Sequence, residues 1–153
     1  METTTSQVET IATASGIPVH CAFDEVVDTI SLIPNPRNPN QHPDSQVRLL
    51  AQIIGVQGWR APITVSNRSG FVVRGHGRLL AAQLAGWDQV PVDRQDYATE
   101  AEEWADLIAD NRLAELAEKD DGALLQMLKE LEASQALPLT GYSDQDLLAL
   151  LAR

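Results

Sequence analysis

The chain has 153 residues, 44% of them hydrophobic, which is enough for one compact core with a short appendage. A single cysteine, Cys21, excludes an internal disulfide. The lack of an apolar run of about 18 residues, or of a basic-then-apolar leader, points away from membrane insertion and secretion and toward a cytoplasmic protein. The net charge of −11 is unevenly spread: residues 1–95 hold seven arginines against eight carboxylates, and residues 96–153 hold four basic against fourteen acidic side chains. Only the second part is expected to repel a polyphosphate strongly, so the two parts have different electrostatic roles.

In chain order, residues 1–16, rich in Thr and Ser without a period, read as a disordered start. Ile17 to Phe23 and Ile30 to Ile33 read as strands. They lead into a loop from Pro34 to Pro43 whose four prolines forbid regular pairing. Asp44 or Ser45 is expected to cap a helix with Val47, Leu50, Ala51 and Ile54 at helical spacing, ended by Gly55 and Gly58. Ile63 to Ser66 and Phe71 to Val73 form a hairpin around Asn67-Arg68-Ser69-Gly70, followed by a helix from Leu79 to Ala85, Gly86, and a strand from Val90 to Val92. Trp59 and Trp87, beside glycines at helix ends, read as core anchors, and Cys21 as a buried strand residue. This order predicts an α/β (α+β) fold, a small mixed sheet with packed helices.

After Tyr97 the pattern is helical only. Thr99 and Glu102 form a capping box for a helix carrying Trp104, Leu107 and Ile108. A second helix, Asp121 to about Ser134, aligns Leu124, Leu125, Leu128 and Leu131. Pro138 to Gly141 break it, and Ser143 with Asp146 start a last helix with Leu147, Leu148, Leu150 and Leu151. Residues 17–118 are therefore expected to form one domain, and 119–153 an acidic helical extension or a linker to a further domain.

Three groups are candidates to carry chemistry; the alternatives for the first two are a plain strand-to-helix turn and a proline-rich surface connection. In Phe71-Val72-Val73-Arg74-Gly75-His76-Gly77-Arg78 a strand ends in two glycines and two arginines just before a helix, so free backbone N–H groups, a helix dipole and guanidinium charge converge on a site for an anion, above all phosphate. The loop holding Asn35, Arg37, Asn38 and His42 is stiffened by proline and suits recognition. In Asp110-Asn111-Arg112 with Glu115, a count of a hundred degrees per residue puts Asn111 and Glu115 on the face of Trp104 and Ile108. Either the helix leaves the core there, or Asn111 and Glu115 face a cleft and hold Mg²⁺ or a nucleotide hydroxyl. His20, His42 and His76 lack partners at zinc-ligand spacing, and no Walker-type run or Ser/His/Asp motif is present.

Together these groups resemble the amino-terminal nucleotide-binding domain of the ParB/sulfiredoxin-like superfamily. Asn35-Pro36-Arg37-Asn38-Pro39 is similar to its first motif, Gly75-His76-Gly77-Arg78 to its Gly-x-Arg-Arg phosphate motif, and Asp110-Asn111-Arg112 to its Glu-Asn-x-x-Arg motif. The resemblance covers roughly Ile30 to Glu118. It implies a nucleotide triphosphate, CTP or ATP with Mg²⁺, facing Gly75, His76, Gly77 and Arg78, its base and ribose lined by Asn35, Arg37 and Asn38, with Asn111 and Arg112 completing the site. Glycine replaces the first arginine of the phosphate motif. The cysteine of sulfiredoxins is missing, so that reductase activity is not expected. Residues 131–153 are similar to the segment that joins such domains to DNA methyltransferases in phage and mobile-element proteins, although no methyltransferase motif and no basic helix-turn-helix follows. The resemblance thus implies a nucleotide-binding module beside DNA partition, modification or mobile-element machinery, with DNA, a methyltransferase or a second copy as partners. The same fold admits a nuclease or phosphotransferase with Asp44, His76 or Glu115 as acid or base. A third expectation is an interaction module whose acidic helices bind a basic partner.

Overall fold

Short β-branched runs punctuated by glycine dictate strands, and leucine-rich runs at helical spacing dictate helices. The computed structural model describes residues 11–153. Among them the strands are β1 (Thr13–Ala14), β2 (Ile17–Pro18), β3 (Glu25–Asp28), β4 (Ile33–Pro34), β5 (Ile63–Ser66), β6 (Phe71–Arg74) and β7 (Gln89–Gln95). The helices are α1 (Asp44–Gln57), α2 (His76–Ala85), α3 (Glu100–Leu116), α4 (Asp121–Ala133) and α5 (Asp144–Leu151). A mixed five-stranded sheet has the order β3-β7-β5-β6-β4, in which β3 and β7, and β5 and β6, are antiparallel, whereas β7 and β5, and β6 and β4, are parallel. The α+β architecture is the expected one.

The central strand β5 is buried along its whole length. Ile63 and Val65 join the core with Val72, Leu79, Val90 and Val92, which α1 closes with Val47 and Ile54. Each such side chain contributes about 1.5–3 kcal/mol by leaving water. Trp59, fully buried, meets Trp87 edge-on at 5.8 Å, so both tryptophans anchor this core. The alternate residues Thr64 and Ser66 are also buried, and Ser66 Oγ donates to Glu103 on α3. Glu103 is wholly enclosed: Ser69 Oγ donates to it at 2.8 Å and the Arg68 guanidinium stands 3.5 Å away. The carboxylate thereby ties α3 to the β5–β6 turn.

Several elements depart from expectation for identifiable reasons. Residues 1–10 lie outside the described residues, but 13–18, partly assigned to an unstructured start, form the β1–β2 hairpin, and Ser15 Oγ donates to Asp88 at 2.8 Å. The strand expected to reach Phe23 stops at Pro18, with one further bridge from Val19 to Trp59, and Cys21 is half-buried outside any strand. The strand expected at Ile30 is a 3-10 turn: Thr29 turns inward to donate to the Trp87 carbonyl at 2.7 Å, which leaves Ile30 95% exposed. On the side away from β5, β7 pairs with the acidic-flanked edge strand β3, a strand that was not expected. Asp44 lies in the first turn of α1 and not at its cap, and α1 runs through Gly55 to Gly58, whose φ of +79° ends it. Thr99 accepts from the Glu102 amide as expected, but Glu102 accepts from Ala98, one residue earlier than in a full capping box.

The extension has its own small core of Leu128, Leu137 and Leu147, with Leu124, Leu125, Tyr142 and Leu150 packed around it. The capping box of Ser143 and Asp146 is complete. A 3-10 turn, Leu137–Thr140, rests on α1, where Gln57 Nε2 donates to the Leu139 carbonyl at 3.4 Å.

Candidate functional site

The helix expected from Leu79 starts three residues earlier, at His76, and this shift creates the site. Gly75 caps α2 with φ +91°, a left-handed backbone that glycine adopts without steric cost. The first intrahelical bond runs from the Leu79 amide to the Gly75 carbonyl at 2.9 Å. The amides of His76, Gly77 and Arg78 have no partner among the described residues, as the first turn of a helix requires, and they carry the positive end of its dipole. His76, Gly77 and Arg78 line a cavity of about 170 Å³, bounded also by the loop at Asn38, Asn40 and His42, by Gln46 and Leu50 of α1, and by Asp110 and Asn111 of α3.

Two arginines line it. Arg78, lying in that first turn, donates through Nε and Nη2 to the Pro62 carbonyl at 3.1 and 2.7 Å, and a Cβ on Gly75 would stand 3.0 Å from Nη2. Burial lowers its pKa from the ordinary arginine value, while Asp110 acts the other way. Arg74, at the end of β6, pairs with Asp106 at 2.5 Å and with Asp110 at 3.6 Å. This pairing raises the arginine and lowers Asp106, which also accepts from Tyr97 Oη. Gly77 lacks a side chain where the superfamily motif has arginine, and a Cβ there would already stand 3.3 Å from His42 Cε1. The second cation of the pocket is therefore Arg74, one residue before Gly75, which the sequence placed in the motif but not among the expected ligands.

His76 is the other polar wall. The Asn35 amide donates to its Nε2 at 3.2 Å, which fixes the ring as the Nδ1–H tautomer. Burial, then the charge of neighbouring His42, pushes its pKa down to about 4, so the ring is neutral at physiological pH. His42 Nδ1 in turn donates to Gln46 Oε1 at 3.0 Å. A second hollow, of about 360 Å³, opens on the other side of the two histidines against Asn35, Leu80 and Gln83. Asn35 and Asn38 shape this wall through side-chain bonds to the Arg37 and Asn40 amides, at 2.9 and 3.2 Å.

The structure thus brings Asn38, Gly75, His76, Gly77, Arg78 and Asn111 to one cavity, with Asn35 beside it. Asn111 Nδ2 donates to the Leu107 carbonyl at 3.3 Å, leaving Oδ1 without a partner among the described residues. The remaining expected residues lie elsewhere. Arg37 stacks on the Trp104 ring at 4.4 Å beside a separate hollow. Arg112 and Glu115 pair with each other at 3.3 Å on the exposed side of α3, and Asp44 is exposed on α1. Of the oxygen donors expected for Mg²⁺, Asn111 faces the cavity and Glu115 does not; Asp110 lines the wall that Glu115 was expected to occupy. The stripe that suggested Glu115 fails because α3 buries Leu107 and Glu103 and leaves Ile108 56% exposed.

No family model matches the chain. A ParB-like nuclease domain-containing protein, YnaK of Escherichia coli (strain K12), is 36% identical over 61 residues, which cover 40% of this chain and 69% of that protein. The chain belongs to the ParB/sulfiredoxin-like superfamily. The fold agrees: the crystal structure of C-terminally truncated ParB from Caulobacter crescentus complexed with CTP-gamma-S matches this ParB-like chain with a TM-score of 0.60, at 19% identity over 84% of each chain. A second Caulobacter crescentus ParB structure, complexed to the centromeric parS site, gives a TM-score of 0.48 at 17% identity, over 85% of this chain and 65% of that one.

Proposed function

We propose that the chain is a ParB-like nucleotide-binding module that seats a triphosphate, CTP before ATP, on the amino-terminal turn of α2. The observation that carries this is the set of three amides at His76, Gly77 and Arg78, without a partner among the described residues, on residues that line a cavity with two arginines. A volume of about 170 Å³ is below the roughly 300–1,000 Å³ of a site that encloses a whole ligand. It suits a phosphate chain, with ribose and base continuing past His42 and His76 into the adjoining hollow of Asn35 and Asn38. Arg78 and the amides would hold the phosphates, and Arg74 would exchange its α3 carboxylates for phosphate oxygen. Mg²⁺ would arrive with the nucleotide, held by phosphate oxygens and by Asp110 and Asn111, the way this ion is bound where few protein ligands converge. The CTP preference is supported by the nucleotide named in the Caulobacter crescentus ParB structure. A role beside DNA, with a methyltransferase or a second copy as partner, rests on the family and on the likeness of residues 131–153 to a linker.

Isothermal titration with CTP and with ATP, each with Mg²⁺, tests the reading. Saturable heat with CTP, weakened at least tenfold by Arg78→Ala, is expected, about 1.4 kcal/mol or more. Absence of heat with both nucleotides, from protein that melts cooperatively, would defeat it.

A further inference from the structure

Between α1 and the extension runs a groove of about 560 Å³ that the nucleotide reading does not use. Its floor is apolar, made of Leu49 from α1, Leu137 and Pro138 from the 3-10 turn, and Tyr142. Its rim carries two carboxylates, Glu132 at the end of α4 and Asp144 at the start of α5. Both are exposed, and neither has a cation within salt-bridge distance among the described residues. Arg153 pairs with Asp121 at 3.0 Å, Lys119 meets Tyr142 from outside the groove, and Arg48 and Lys129, which adjoin the groove in sequence, neither line it nor pair with these carboxylates.

An apolar trough with an acidic rim selects its occupant by charge. Nucleic acid is repelled by the carboxylates, and a second copy of a chain with net charge −11 brings like charges together. What fits is an amphipathic segment whose apolar side chains fill the trough while basic ones answer the rim. We propose that this groove docks a segment of a partner protein in which leucine-like side chains are flanked by lysine or arginine. The groove spans the seam between the ParB-like body and the extension, so an occupant would clamp the extension in place.

The full chain is titrated into a fluorescein-labelled amphipathic peptide with leucines and one tryptophan on one face and lysines on the other, read by anisotropy. Saturable binding is expected, with amide shifts in NMR spectra at Leu49 and Tyr142. The pair Glu132→Lys with Asp144→Lys is expected to weaken it about tenfold. The pair Glu118→Lys with Glu130→Lys, which changes net charge equally at exposed positions outside the groove, is expected to weaken it less than about threefold. No binding, equal weakening by both pairs, or undiminished binding of a peptide with serines in place of leucines would each overturn the proposal. None of these outcomes depends on whether nucleotide binds.

Discussion

Gly75 and His76 show how much a single position can decide. At Gly75 the backbone sits at φ +91°, and an added Cβ would press on the Arg78 guanidinium at 3.0 Å. Gly75→Ala is therefore expected to lose about 1–2 kcal/mol in urea unfolding, and nucleotide affinity with it, because Arg78 is pushed off the Pro62 carbonyl. His76 makes stability depend on pH. The unfolded chain takes up its proton near 6.5 and the folded chain only near 4, so acid favours unfolding across that window and stability rises as pH rises through it. The loss between pH 6.5 and 4 is expected to be roughly 2 kcal/mol after allowance for partial exposure, and His76→Asn should remove it from the curve of unfolding midpoint against pH. The glycine motif and His76 were legible because their chemistry is local. The place of Arg74 in the cavity wall was harder to read, because it follows from where β6 ends against α3.

Among the elements, α3 shows where sequence periodicity gives out. A helix with glutamates on most faces offers no way to tell which one is enclosed, and the apolar count favoured Ile108 over the face that Glu103 occupies. Glu103 answers to hydroxyls more than thirty residues away in the β5–β6 turn, a partnership fixed by tertiary packing alone. Removing it strands Ser66, Ser69 and the Arg68 charge. Glu103→Ala is expected to destabilise the fold by about 3 kcal/mol, while Ile108→Ala on the exposed side should cost less than about 1 kcal/mol, both by urea titration. The β5–β6 hairpin, α2's closing glycine and the α4 leucines agree with expectation because turn chemistry and helical spacing are short-range signals. The misread strands near Cys21 and Ile30 depend on Trp59 and Trp87, which lie far along the chain.

For the whole molecule, two cores on one chain suggest two levels of stability. The Leu128, Leu137 and Leu147 cluster is small, and it joins the larger body through the 3-10 turn on α1. A chain ending at Glu118 is expected to keep a cooperative melt, and in the full protein the amides of α4 and α5 are expected to exchange with deuterium faster than those of β5 and β7. A truncated chain that no longer melts cooperatively would show instead that the extension is part of the body. The order of the sheet has a further consequence for synthesis. Because β7 lies between β3 and β5, both neighbours keep bare edges until residue 95 has left the ribosome. A nascent chain of that length leaves open to stray pairing a strand that is wholly buried in the folded protein, so the interval before β7 arrives is when the protein is expected to be most exposed to aggregation and most dependent on chaperones.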